Sequence, residues 1–138
     1  MTFSPVSAYL LGSLSLAIGL NSFVRPCGEC ERFGLSLEPT PSTTSPQIEP
    51  SKIGAPSALI YLKGIREITY GLALIALQYY GQETAITIVA AILSLAGLGD
   101  GFMVWNYGGS TLKRKAFGHW MAWVVFAGWS WWRAVSMA

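Results

Sequence analysis

The sequence predicts an all-α fold: an integral membrane four-helix bundle with a long irregular loop between helices 1 and 2. Four apolar runs each reach roughly 20 residues, the length that a helix needs to cross the ~30 Å hydrocarbon core of a bilayer. Charged residues make up only 12% of the 138 residues and hydrophobic residues 52%. A typical soluble domain holds about 25% charged residues. The length fits a single transmembrane domain, residues 1–138.

The four predicted helices occupy residues 6–24, 57–80, 84–107 and 116–137. Gly12 and Gly19 allow close contact with a neighbouring helix, and Pro56 favours the start of the second helix. Residues 81–83 form a tight turn, so helices 2 and 3 are expected to be antiparallel neighbours. The first run has no basic leading region and no small-x-small cleavage site, so we interpret it as a retained helix rather than a signal peptide.

The segment 27–56 is polar and rich in proline. It offers too little apolar surface to fold alone, and we predict a mostly irregular, proline-rich cytoplasmic loop in which residues 31–37 approach the membrane face. Lysine and arginine concentrate in this loop and in the turn at 113–115, and such residues favour the cytoplasmic side. Both termini are therefore expected on the opposite side, which in a eukaryotic cell is the lumen of the endoplasmic reticulum.

Ionisable residues interrupt three of the apolar runs. Lys63, Arg66 and Glu67 lie in the second run, Asp100 in the third and His119 in the fourth. A charge at the centre of a spanning helix costs roughly 2.5–3.5 kcal/mol, so such groups tend to face the bundle interior. At a rise of about 1.5 Å per residue, all of them fall in one layer of the cytoplasmic half of the bilayer. We predict that His119, Asp100, Glu67 and Arg66 are catalytic.

The residue types indicate acid/base chemistry. His119 is the expected proton shuttle because imidazole titrates near neutrality, and Asp100 or Glu67 either orients it or acts as the base. Arg66 keeps its charge when buried and suits an oxyanion or carboxylate. One histidine and separated carboxylates fall short of the usual metal ligand sets, so we expect neither metal nor cofactor. The predicted substrate-binding residues are Lys63, Tyr70, Trp105 and Trp123.

A purely structural interpretation stays open. Lys63 with Glu67, and Arg66 with Asp100, would neutralise each other as a buried ionic lock, and His119 would bind a backbone carbonyl. Buried ion pairs often only break even against apolar replacements, which is an argument against keeping them for stability alone.

A resemblance to a known family rests on short motifs that follow one another in a set order. They are Arg25-Pro26, Glu31-Arg32-Phe33-Gly34-Leu35, Gly64-Ile65-Arg66-Glu67 with Gly71, Gly99-Asp100 and Gly118-His119. The chain resembles the small four-helix membrane proteins of unknown function found in fungi and bacteria and, more distantly, the DoxX-like membrane proteins. The resemblance covers nearly the whole chain except the proline-rich insertion. Fungal members often accompany polyketide or terpenoid biosynthesis genes, which implies a cyclase or isomerase of secondary metabolism.

The leading hypothesis is a membrane enzyme that catalyses cofactor-independent cyclisation or isomerisation of a lipophilic polyketide- or terpenoid-type intermediate. One alternative is a quinone- or thiol-linked redox protein, for which the C-x-x-C pair Cys27 and Cys30 is a weak signal because it falls in the predicted loop. The other is a non-catalytic adaptor for a biosynthetic enzyme. The expected partners are a lipophilic substrate, membrane lipid and a second copy of the chain; the net charge of +2 and the lack of a basic stripe exclude nucleic acid.

Overall fold

A computed structural model of the chain describes residues 3–38 and 54–138, and within these ranges the protein is helical and has no strand. The all-α prediction is confirmed. The helices are α1 (Val6–Val24), α2 (Pro26–Phe33), α3 (Leu59–Tyr79), α4 (Glu83–Tyr107), α5 (Gly109–Leu112) and α6 (Ala116–Met137), with a 3₁₀ turn at Lys113–Lys115. An isolated antiparallel bridge joins Glu38 to Ala55 on either side of the segment 39–53.

The four long helices, α1, α3, α4 and α6, begin and end within two residues of the ranges expected from the apolar runs. Two of them, α1 and α4, are long and apolar enough to cross a membrane. The other two have comparable length but are less apolar, because α3 carries three charged residues and α6 carries His119, Arg133 and several tryptophans. The two apolar helices favour a membrane protein.

The helix α2 corrects the prediction of an irregular loop over residues 27–56. The backbone of Arg25 leaves the helical region and ends α1, and Pro26 then occupies the first position of a new helix, where its fixed φ fits. Gly34 ends this helix with a φ of 99°, while the N–H groups of Gly34 and Leu35 both donate to the carbonyl of Cys30. The remaining proline-rich part, 39–53, lies outside the described residues.

The helices pack as two close pairs. α1 lies along α3 and α6 lies along α4, whereas α3 and α4 meet over a shorter interface and α1 and α6 scarcely touch. Glycines bring α1 and α3 together: a Cβ added to Gly19 would lie 2.7 Å from the carbonyl oxygen of Gly64, and one added to Gly12 would lie 3.0 Å from that of Gly71. Small residues of this kind let two backbones meet directly.

One end of the molecule is tightly closed. Ala8, Leu74 and Ile86 form an apolar cluster there, and Phe126 and Trp129 of α6 pack against it. At the same end the fully buried Arg133 binds the carboxylate of Glu83 and donates to Thr87 Oγ1 at 2.9 Å. Its guanidinium lies 4.3 Å from the ring centre of Phe3 and 5.1 Å from that of Trp129. The opposite end, where α1 and α6 separate, contains the cavity described below.

The contact between α1 and α3 predicts that bulk at Gly71 is poorly tolerated. A Cβ at this position would lie 2.7 Å from the backbone nitrogen of Leu16. We expect Gly71→Val to lower the free energy of unfolding by about 1 to 3 kcal/mol, as overpacking does. Gly128→Val is the matched control, because a Cβ at Gly128 meets nothing within 4 Å. Unfolding of the purified protein in detergent, followed by circular dichroism, measures both. Equal stability of the two variants contradicts the prediction.

Candidate functional site

The candidate site is a cavity of about 310 Å³ at the end of the bundle where α1 and α6 separate. Its volume lies near the lower limit of ligand pockets, which range over ~300–1,000 Å³. Five helices contribute to its walls: Leu11, Leu14, Ser15 and Ile18 from α1; Arg32 and Phe33 from α2; Lys63 and Glu67 from α3; Asp100 from α4; and Gly118, His119, Ala122 and Phe126 from α6, with Lys115 just before α6. A second cavity of about 80 Å³ shares Ser15, Glu67, Asp100 and His119 with the first and also includes Tyr70.

An ion pair between α3 and α4 forms one wall. Arg66 donates through both terminal nitrogens to Asp100: Nη1 lies 3.1 Å from Oδ1, and Nη2 binds Oδ2. This two-pronged arrangement fixes both side chains and is among the stronger pairings in proteins. Arg66 Nη2 also lies 3.8 Å from Glu67 Oε1, and its guanidinium carbon lies 6.0 Å from the ring centre of Tyr70. The pairing of Arg66 with Asp100 is the one that the structural interpretation of the sequence expected.

Lys63 has a different partner from the one that the sequence indicated. Its ammonium lies 3.3 Å from the carboxylate of Glu29, on the short helix α2, and not on Glu67 one turn away. Glu29 is almost fully buried, and it also binds Arg32 at 2.8 Å and the side-chain amide of Asn21. The expected ion pair between Lys63 and Glu67 is therefore wrong, because the Lys63 ammonium binds a carboxylate that another helix, α2, places beside it.

The environment of Glu29 favours its charged form. Burial alone raises the pKa of this carboxyl, but hydrogen bonds from Arg32 and Asn21 and the charges of Lys63 and Arg32 outweigh it. The net result is a pKa below the ordinary value for glutamate. Glu29 is thus an ionised counter-ion for Lys63 under neutral conditions.

His119 is oriented by the end of α2. Its Nε2 lies 2.8 Å from the carbonyl oxygen of Phe33, and its ring meets the Phe33 ring edge-to-face at 4.6 Å. A carbonyl only accepts hydrogen bonds, so Nε2 carries the hydrogen and the neutral ring keeps Nδ1 as its acceptor. The imidazole lines both cavities. This arrangement leaves one basic nitrogen of His119 for chemistry.

Glu67 differs from the other carboxylates of the site. It lines both cavities, and among the residues that the structure describes it accepts no side-chain hydrogen bond. Asp100 and Glu29, in contrast, are each held by charged hydrogen bonds. Glu67 is therefore the carboxylate that remains available to a bound molecule.

The predicted site residues divide into three groups in the structure. Glu67, Asp100 and His119, predicted to be catalytic, and Lys63, predicted to bind substrate, line the larger cavity. Tyr70 lines the smaller cavity, and Arg66 is tied to both cavities through Asp100. The two tryptophans do not line either cavity: Trp105 packs against Trp120 at 5.6 Å, and the backbone of Trp123 lies against Gly97. They serve the contact between α4 and α6.

The residues that the sequence did not identify come mainly from α2 and the basic turn. Arg32, Phe33 and Lys115 line the cavity, and Glu29 neutralises Lys63. The signal for α2 was present, since proline at a first helical position and glycine after the last one mark helix ends. The pairing of Glu29 with Lys63 has no such signal, because 34 residues separate the two positions.

The C-x-x-C pair lies in α2 and not in a loop as predicted. Both thiols are free; Cys27 is exposed and Cys30 is fully buried. Burial raises the pKa of the Cys30 thiol, and a buried protonated thiol is a poor nucleophile. Among the residues that the structure describes, no three His, Cys, Asp or Glu side chains form a group suited to a metal ion.

Comparison with known proteins gives one match. Residues 12–133 match a family described as a domain of unknown function, DUF4267. The chain belongs to this family. No curated protein and no solved structure matches the chain. The DUF4267 description names no reaction and no link to DoxX-like proteins or to a biosynthetic gene cluster, so both of these stay predictions.

The different burial of the two thiols predicts selective labelling. We expect a maleimide reagent to modify Cys27 in the folded protein and Cys30 only after denaturation, because Cys30 has no exposed surface. Mass spectrometry of the labelled protein counts the adducts, and Cys27→Ser is the matched variant that should lose the fast adduct. Two fast adducts in the folded wild type contradict this arrangement of α2.

The lowered pKa of Glu29 predicts a pH-dependent stability. Its ionised form stabilises the folded state above the unfolded pKa of about 4.3, and this contribution is lost as the pH falls through the lower folded pKa. We expect Glu29→Gln to cost about 3 kcal/mol at pH 7, since Lys63 loses its partner, and to flatten the stability profile on the acidic side. Thermal unfolding in detergent between pH 3 and pH 7 measures this.

Glu31→Gln is the control for the Glu29 experiment, because Glu31 is exposed on the same helix. It should follow the wild type within about 0.5 kcal/mol, as exposed substitutions usually do. A Glu29→Gln profile that coincides with that of Glu31→Gln contradicts the proposed counter-ion role.

Proposed function

We propose that this DUF4267 protein is a four-helix integral membrane protein whose cavity binds a lipophilic small molecule and moves a proton on it. Isomerisation and ring closure are the reactions that fit, because both proceed by removing a proton at one position and returning it at another. The observation that carries the proposal is that Glu67 and His119, from two different helices, line the same cavities within an otherwise apolar bundle.

The distribution of polar and apolar side chains supports a membrane location for all four long helices. Large apolar side chains point outward, as Leu10, Ile92 and Trp131 do with exposed fractions of 65%, 59% and 73%. Charged side chains such as Lys63 and Arg133 are buried instead. Soluble monomers rarely expose contiguous apolar surface on this scale, whereas lipid covers it. Polar side chains within a bilayer face the bundle interior, as they do here.

The basic residues support an orientation. A Cβ added to Gly34, at the end of α2, would lie 3.3 Å from Cβ of Lys115, so α2 and the basic turn Lys113–Lys115 meet at the cavity end. Arg25 directly precedes α2 and Arg32 lies within it, so both belong to the cavity end of the bundle. Since lysine and arginine concentrate on the cytoplasmic side, we propose that the cavity end is cytoplasmic and that both termini lie across the membrane, in a eukaryote in the endoplasmic reticulum lumen.

The proposed division of labour follows from the hydrogen bonds. Within the described ranges Glu67 accepts no side-chain hydrogen bond, so it is the candidate base that removes a proton from the substrate. His119, fixed by the Phe33 carbonyl, returns a proton through Nδ1 once that nitrogen is protonated. Asp100 is occupied by Arg66, which makes this pair a fixed dipole beside the reacting atoms and not the acid or base.

The experiment compares membranes that contain wild type, Glu67→Gln or His119→Gln, each incubated with a lipophilic cell extract in D₂O. Both reactions interconvert isomers, so the readout is a pair of isomers whose ratio changes, with the product heavier by the deuterium that it takes up from D₂O. We expect each variant to lower the rate at least about 100-fold, as loss of a general acid or base does. Glutamine at 119 keeps a donor for the Phe33 carbonyl.

Glu31→Gln again provides the matched control and should convert at the wild-type rate, because Glu31 is exposed and lies outside both cavities. Rates are compared at equal amounts of folded protein. Undiminished conversion by both Glu67→Gln and His119→Gln would reject the proposal, and so would wild-type membranes that produce no such pair.

A further inference from the structure

We infer that the ligand of the cavity is a single-chain amphiphile with one anionic head, a carboxylate, which enters sideways from the lipid between α1 and α6. This inference rests on the membrane location in the proposed function, and it adds a substrate class to it. Two independent observations carry it: the shape of the space between α1 and α6, and an excess of one positive charge around it.

The shape fits a chain that lies along the helices. α1 and α6 scarcely touch, and each contributes four residues to the cavity walls. From Lys115 to Phe126 the cavity follows eleven residues, or about 16 Å at 1.5 Å per residue. Leu14, on the α1 side, lines this space and is also 58% exposed. The cavity therefore opens on the surface that lipid covers.

The walls change in character along this length. The deep part is lined by aliphatic and aromatic side chains, such as Leu11 and Phe126, close to the apolar cluster at the closed end. The other end is lined by Arg32 and Lys115, at the level of the basic turn. An apolar tail and a charged head in one molecule match this gradient, because each end then meets a wall of its own kind.

The charges around the cavity do not balance. Among the residues that the structure describes, counting the side chains that line the cavity, and those paired with a lining side chain, gives four cations and three carboxylates. These are Arg32, Lys63, Arg66 and Lys115 against Glu29, Glu67 and Asp100. His119 enters this count in its neutral form, the form in which Nδ1 is an acceptor. One further negative charge neutralises the set, and a carboxylate supplies one, whereas a phosphate monoester carries about −1.5 to −2.

Lys115 is the cation that lacks a partner. Within the described parts of the chain no carboxylate lies at salt-bridge distance from it, while the other three cations are each held by Glu29 or Asp100. His119 follows Lys115 by four residues, or about 6 Å along α6. A head bound by Lys115 therefore brings carbon atoms a few bonds down the chain to His119 and Glu67, where proton transfer is proposed.

The test is equilibrium binding of two radiolabelled probes, decanoate and decan-1-ol, to the protein in phosphatidylcholine nanodiscs, after subtraction of empty discs. The probes differ only in the head. We expect decanoate to bind saturably and at least about tenfold more tightly than the alcohol, since a charge-assisted hydrogen bond contributes about 1.5–3 kcal/mol and each 1.4 kcal/mol is tenfold. Lys115→Gln should remove most of this difference without changing decan-1-ol binding.

Arg114→Gln is the matched control, because Arg114 is exposed in the same turn, as Lys115 is, but does not line the cavity. It should bind decanoate as the wild type does. Equal losses in the two variants, equal binding of the two probes, or loss of decanoate binding when phosphatidylglycerol is added to the disc would each overturn the inference. The last result would assign the site to a lipid headgroup.

Binding and turnover are separable in this design. Glu67→Gln removes the proposed base and leaves Lys115 in place, so it should retain decanoate binding while losing conversion. If decanoate binds as expected and no conversion is found in any membrane, the inference stands and the proposed reaction fails. If conversion depends on Glu67 while decanoate and decan-1-ol bind alike, the reaction stands and the anionic head is wrong.

Discussion

One ion pair connects the two halves of this molecule at the level of its cavity. α1 lies against α3 through glycine contacts and α6 lies along α4, so the shorter interface between α3 and α4 holds both pairs together along with the apolar cluster at the closed end and the contact of α2 with α6. Arg66 crosses that interface and takes both oxygens of Asp100. Removing either partner of such a pair leaves a desolvated charge, which typically costs 3–5 kcal/mol. Glu67 follows Arg66 directly, so its place between the cavities depends on this pair.

The short helix α2 supplies partners for polar side chains of the cavity that the long helices do not provide. Its Glu29 supplies the counter-ion for Lys63, and the carbonyl of Phe33 selects the tautomer of His119. Two side chains of the cavity, Lys63 and His119, thus owe their counter-ion or orientation to a segment outside the four apolar runs. The carbonyl is available because Phe33 ends the helix, where the last carbonyl groups lack partners within it. The C-terminal end of α2 therefore also orients the imidazole ring of His119.

The sequence predicts the layout of this fold better than its pairings. The lengths of the apolar runs, together with the turn-forming residues Pro56, Gly81 and Gly108 near their ends, predict the four long helices. Counting residues along these helices predicts that Glu67, Asp100 and His119 lie in one layer. The rotation of each helix is harder to predict, because α1 and α4 are apolar almost all round and their periodicity is weak. Trp105, predicted to bind substrate, packs instead against Trp120, and the backbone of Trp123 lies against Gly97.

The prediction of the ion-pair partner of Lys63 fails for a different reason. Lys63 has Glu67 one turn away on its own helix, a spacing that favours pairing. The ammonium nevertheless binds Glu29, whose carboxylate is already fixed by Arg32 and Asn21. A carboxylate that other donors hold in place loses little further freedom on binding the lysine. Whether such a prearranged partner exists is a property of the folded chain, and local spacing does not contain it.

The two groups of buried ions in this protein differ in what surrounds them. Arg133 binds Glu83 and Thr87 and is covered by Phe3 and Trp129, and none of these residues lines the cavities described here. The charge of Arg133 is thus neutralised and closely packed, which is what we expect of an ion pair whose role is to stabilise the closed end. Around Glu67, charged side chains that are equally unfavourable to bury line a cavity instead. Since leucine would fill that space at lower cost, the void beside the charges is the feature that distinguishes a binding site from a lock.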